Sequence, residues 1–134
     1  MAYGEDAGKL IKKLGYEWII LDEISATGIL NKIKTDKIYQ DKKNGLKIIF
    51  RSRANSSIYF PDKFLNTKDN NLAFITATDG ELYGLKHEDP TGEFEKMLKI
   101  ANLKTLTISE FLKNRETQKI SLIPSSWEST EKEI

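Results

Sequence analysis

A chain of 134 residues and 15.3 kDa is one domain's worth of polypeptide, enough for a single core that buries roughly two-thirds of the surface exposed on unfolding. Hydrophobic residues make up 39% and charged residues 31%, no apolar run approaches the ~20 residues of a membrane helix, and zero cysteines with one histidine exclude disulfides, thiolate nucleophiles, cysteine-ligated zinc and iron-sulfur clusters. The net charge of +1 conceals an uneven spread: Lys32 to Arg53 holds eight basic residues against two acids, net +6, which leaves −5 for the remainder.

Met1-Ala2-Tyr3-Gly4-Glu5-Asp6 has no basic stretch followed by an apolar one, so the expectation is an intracellular, cytoplasmic protein. Ala7, Leu10, Ile11 and Leu14 recur at helical spacing, and Gly15 ends a first helix predicted over Gly4 to Leu14. Tyr16-Glu17-Trp18-Ile19-Ile20-Leu21 is aromatic and β-branched and reads as a buried strand. Ile24 to Lys34 is open between a helical face of Ile29, Leu30 and Ile33 and an extended or bulged strand.

Two dipeptides that tolerate positive φ predict hairpins with two-residue loops. Asn44-Gly45 separates Ile38 to Asp41 from Leu46 to Phe50, and Asp79-Gly80 separates Leu72 to Ala77 from Leu82 to Leu85. Ser57 to Phe60 is a short strand stopped by Pro61. Asp89 and Pro90 open a helix with Phe94, Met97, Leu98 and Ala101 on its apolar face, ended at Asn102. Thr107-Ile108-Ser109-Glu110 has capping-box spacing for a short helix to about Asn114, and Ile120 to Ile123 is a last strand before Pro124. The expected fold is α+β: a mixed, largely antiparallel sheet of five or six strands, with an N-terminal helix and two C-terminal helices packed on it. Residues 1–124 form the domain, and residues 125–134 a polar tail that Trp127 could dock.

Catalytic signatures are absent: no Gly-rich phosphate loop, no nucleophile elbow, no histidine pair. His87, between Lys86 and Glu88-Asp89, reads as a surface histidine in a strand-to-helix loop, since every catalytic partner would have to be invented. No cofactor is expected.

The ordered set of a helix bearing Glu5, Gly15-Tyr16 leading into a strand, Asp36 opening a strand, the Asn44-Gly45 turn, the strand Lys47-Ile48-Ile49-Phe50-Arg51 and the Asp79-Gly80 hairpin resembles the restriction-endonuclease-like PD-(D/E)xK core over about residues 4–86. The resemblance implies a third core strand carrying an acid-x-Lys triplet that holds magnesium and positions water. Here that strand reads Ile49-Phe50-Arg51-Ser52-Arg53, without an acid, so only Glu5 and Asp36 carry over as metal ligands and the implied site is degenerate.

The basic segment is then the main candidate for function. A hairpin with Lys42, Lys43 and Lys47 near its tip and Lys37, Arg51 and Arg53 toward its base could lay cations along a phosphate backbone, with Tyr39 stacking on a base. The Lys, Ile and Asn bias is the one AT-rich codons produce, which points to a low-GC bacterium, its phages or its mobile elements as the source. The expectation is a non-enzymatic nucleic-acid-associated binding module that works through the basic hairpin of residues 32–53. A small phage-type inhibitor of a host protein and a magnesium-dependent nuclease stand behind it.

Overall fold

In the computed structural model, residues 2–56, 75, 77, 92, 95, 96, 99 and 106–134 are described. Trp18–Asp22 (β2), Ile38–Asp41 (β3), Lys47–Arg51 (β4) and Thr117–Ile120 (β5) form a four-stranded sheet in the order β2-β4-β3-β5. The class is the α+β expected, and the sheet is mixed. Within these four strands, however, β2 and β4 are parallel, β3 and β5 are parallel, and only β3 and β4 run antiparallel. A second, two-stranded sheet pairs Ala2–Tyr3 (β1) with Ser125–Ser126 (β6).

β2 and β4 carry packed apolar residues on both faces of the four-stranded sheet, which is why they show apolar runs rather than alternation. One face carries Leu21, Tyr39, Ile48 and Phe50, closed by Tyr3, Ala26 and Leu46, with Ile11, Ile120 and Leu122 packed around them. The other carries Ile20, Ile49 and Ile38 in one cross-strand row, covered by Phe111 and Leu112. Those two residues belong to the short helix Ile108–Phe111 (α4) and its C-cap, and Thr107 and Glu110 form the capping box that the sequence spacing predicted.

Glu5–Lys13 (α1) begins and ends within a residue of expectation. Its orientation differs from it: Leu10 and Leu14 face outward, while Gly8 is buried and Ile11 half-buried against the body. A Cβ at Gly8 would lie 2.7 Å from both Tyr3 Oη and Asn44 Nδ2, so the missing side chain lets the helix sit directly on the β3–β4 turn. The ambiguous stretch opens as one helical turn, Ile24–Thr27 (α2), closed at Gly28.

The β3–β4 hairpin is present, but its loop is longer than two residues. Ile38 faces Ile49, Tyr39 faces Ile48 and Gln40 faces Lys47, and the Asp41 amide donates to Leu46 O at 2.9 Å, which leaves Lys42 to Gly45 as a four-residue loop. Gly45 takes φ +72° as required, whereas Asn44 keeps a negative φ and uses its side chain instead, Oδ1 accepting from the Leu46 amide at 2.9 Å. The strand expected at Ile120 to Ile123 also moves, and β6 follows it. That strand covers Thr117–Ile120 because this is the stretch paired with Ile38 to Asp41 of β3, and Ile120 is the one residue of it that is not exposed.

The C-terminal residues are docked, not frayed. Besides the β1–β6 pairing, Ser125 Oγ lies 2.7 Å from Ser25 Oγ, and the Trp127 ring stacks on the Arg51 guanidinium 5.1 Å from its carbon. That guanidinium belongs to a buried ionic cluster at the carboxyl ends of β2 and β4. Asp22, whose side chain is 1% exposed, accepts from Arg51 Nε at 2.9 Å and Arg53 Nη2 at 2.8 Å, and also from the Ile24 amide at 3.2 Å. Glu23 accepts from the Arg53 amide at 2.8 Å and the Asn31 amide at 2.7 Å, and Arg53 Nη1 donates to Ser129 O at 2.8 Å. Arg53 opens a single helical turn, Arg53–Ser56 (α3).

The predicted strand at Ser57 to Phe60, the Asp79-Gly80 hairpin, the helix from Pro90 to Asn102 and His87 lie outside the described residues, apart from Ile75, Ala77, Gly92, Glu95, Lys96 and Lys99.

Two stability predictions follow from this geometry. Asp22→Ala leaves two guanidiniums without their carboxylate and should cost about 3–5 kcal/mol in urea unfolding. Gly45→Val should cost about 1–3 kcal/mol, because a β-branched residue resists the left-handed region, and an unchanged midpoint would remove the hairpin turn as described.

Candidate nucleic-acid interface

In an antiparallel or parallel ladder, facing residues share a side of the sheet, so register alone assembles surface rows. At the end of the sheet where β3 turns into β4, Trp18 faces Lys47, Lys47 faces Gln40 and Gln40 faces Lys119. This four-strand row lies beside the isoleucine row on the same face. Trp18, Lys47 and Gln40 are half-buried, and Lys119 is exposed. The row contains an aromatic ring, two ammonium groups two strand spacings apart (roughly 10 Å) and a neutral amide, with no carboxylate among the four. Gln40 Nε2 donates to Gly45 O at 3.2 Å, tying the row to the turn that carries the exposed Lys42 and Lys43.

The turn is held from below. Asp41 is buried, with Oδ1 accepting from the Lys43 amide at 3.2 Å and Oδ2 from Tyr3 Oη at 3.3 Å. Burial, and next the adjacent Asp41 charge, push the Tyr3 phenol up to about 12. Lys43 Nζ reaches Glu5 Oε2 at 2.6 Å, and the hydrogen bond from Lys43, with one from Lys9, lowers the Glu5 carboxyl. Lys43 is therefore partly engaged, while Lys42, Lys47 and Lys119 have no ion pair of their own among the described residues.

The sequence-predicted residues divide into two groups. Lys42, Lys43 and Lys47 gather at the turn end, as expected of a hairpin tip. Tyr39, Arg51 and Arg53 point inward. Tyr39 is 5% exposed, packs edge-on to Phe50 at 5.3 Å and donates to Lys34 O at 3.0 Å, with burial raising its phenol. No base can stack on it. Arg51 and Arg53 are consumed by Asp22, and they stand at the other end of β4. Lys37 is exposed at that same far end and lies 3.9 Å from Asp36.

Glu5 and Asp36, the carboxylates the nuclease resemblance would place on magnesium, also lie apart. Glu5 reaches the turn after β3, whereas Asp36 precedes the strand, so the length of β3 separates them. Among the described residues no three histidine, cysteine or acidic side chains are grouped to hold a metal ion. Asp36 and Lys37 instead line a cleft of about 340 Å³ with Ile38, Arg115, Glu116, Thr117 and Gln118, in which two acids balance two bases.

Trp18, Gln40 and Lys119 are the members of the row that sequence reading passed over. Trp18 belongs to the strand expected to be buried and does pack, half-buried, against the Ile38–Ile49 cluster, while Lys119 enters through a pairing of β5 with β3 at a separation of about eighty residues, for which local patterning carries no signal. The chain matches no protein-family model, no curated protein and no solved structure. Its function is therefore argued from this geometry alone.

The Tyr3 phenol gives a signed pH prediction. The folded state holds the proton to about pH 12, the unfolded chain only to about 10.0, so this contribution is intact below pH 10 and is lost as pH rises between the two values. The loss is on the order of 2 kcal/mol. Urea midpoints from pH 9 to 12 should fall more steeply for the wild type than for Tyr3→Phe; parallel slopes would detach Tyr3 from the turn.

Proposed function

We propose that the chain is a non-enzymatic nucleic-acid-associated binding module whose contact surface is the turn end of the sheet. Lys42, Lys47 and Lys119, with Lys43 beside them, meet phosphates, and Trp18 offers the aromatic contact first ascribed to Tyr39. The observation that carries the reading is the cross-strand row Trp18–Lys47–Gln40–Lys119, which pairs cations with an aromatic ring on one sheet face. This combination suits single strands, whose backbone tracks the charges while a base stacks on the ring. Zero cysteines accord with a reducing intracellular setting.

With three or four phosphates neutralised, log affinity for a single strand should fall with log salt at a slope of about −2 to −3. Wild-type protein should be retained on heparin and on single-stranded DNA at low salt. Lys42→Glu and Lys119→Glu combined, both at exposed positions, should abolish retention while the melting temperature stays nearly constant, since exposed charges contribute little to stability. Reversal of Lys12 and Lys13 on α1 should do less. Flow-through of the wild type at low salt overturns the reading and leaves the host-protein inhibitor as the better account.

A further inference from the structure

We propose that α1 is a self-association surface, on which a second copy of this chain docks through its own α1 in antiparallel fashion. The helix rests on the body through Gly8 and Ile11, and turns Ala7, Leu10 and Leu14 to solvent. Leu10 is 56% exposed and Leu14 65%, and Tyr16, just past the helix, is 62% exposed. These positions are spaced i, i+3 and i+7, so they form one apolar stripe along the outer side.

The charges around the stripe specify its occupant. Glu5 and Asp6 stand in the first turn and Lys12 and Lys13 in the last, so the outer side runs from acid to base along its length. A second copy placed antiparallel across Leu10 meets each acidic end with a basic one, whereas a parallel copy would set like against like. Asp6, Leu10 and Lys13 lie at i, i+4 and i+7 on one side of the helix, which brings Asp6 of one copy against Lys13 of the other twice over, on either side of a Leu10–Leu10 contact. The Asp6 carboxylate is 99% exposed, and its 3.3 Å contact with Lys9 is an exposed one that exchanges readily. Glu5 is already engaged by Lys43, so Asp6 is the acid free to carry the pairing.

Nine residues of helix span about 13.5 Å, and a contact that short buries less than the ~800 Å² per partner of a standard interface, so the dimer is a weak one. In sedimentation equilibrium at low salt, the weight-average mass should start near the 15.3 kDa monomer at about 5 μM and climb toward twice that by about 500 μM. Leu10→Asp should hold the chain monomeric across that range with an unchanged circular dichroism spectrum and melting temperature, because an exposed leucine is not a core residue. Asp6→Lys and Lys13→Glu should each lose association alone, and an equimolar mixture of the two should recover it, since the mixed pair restores both acid-base contacts. A wild type that remains monomeric to 500 μM overturns the proposal, as does association that survives Leu10→Asp or a mixture of charge variants that stays monomeric.

Discussion

The burial of Asp22 is the constraint on which the arrangement turns. A carboxyl group 1% exposed has given up its hydration, and here the replacement is two guanidiniums and a backbone amide. Arg51 and Arg53 come from a neighbouring strand and the turn after it, 29 and 31 residues along the chain. Satisfying Asp22 therefore fixes where β4 ends against β2. Each arginine then has donors left over. Arg53 spends one on the carbonyl of Ser129, Arg51 one on that of Ala77, and Trp127 covers the Arg51 plane. Completing the buried ionic cluster thus adds to the β1–β6 pairing and the Ser25–Ser125 contact in docking the C-terminal residues.

That cluster also alters what the charge count means. The +6 of Lys32 to Arg53 is a sum over sequence, but two of its eight cations, Arg51 and Arg53, are spent on Asp22 and a third, Lys43, is bridged to Glu5, both acids lying outside the segment. A linear charge tally assigns these guanidiniums to the surface because it has no knowledge of partners far along the chain. The exposed field at the hairpin comes from lysines, which keep an ammonium in water on a flexible stem, while the arginines, with planar multi-donor heads, are the cations turned inward.

The same separation of local from long-range information explains what was legible beforehand. α1, β2, the Gly45 turn and the Thr107 capping box are set by neighbours within a few residues, and each stands within a residue or two of its predicted place. Tyr39 was misplaced because β3 is covered on both faces, so no in-out alternation shows which way a given side chain points. The loop length was misjudged because Asn44 meets the turn's needs with its side chain rather than with a positive φ, and both solutions use the same dipeptide. The exposure of Leu10 and Leu14 had no local signature either: a periodic stripe reads as a core face whether or not the body supplies a surface to cover it.

The two ends of the sheet consequently have opposite character. At the carboxyl ends of β2 and β4, where open parallel sheets commonly place ligands, charges are internally matched and covered by Trp127. At the turn end Asp41 is buried under the Tyr3 hydroxyl and Glu5 is bridged to Lys43, which leaves the exposed Glu17, beside Trp18, against Lys42, Lys47 and Lys119. A buried acid removes negative potential from the surface less completely than neutralisation would, but here it lies behind the turn whose lysines project outward. The charges of the fold are thus sorted by burial: Asp22 and Asp41 are buried while Lys42, Lys43 and Lys119 stand exposed, and the proposed contact surface rests on that asymmetry.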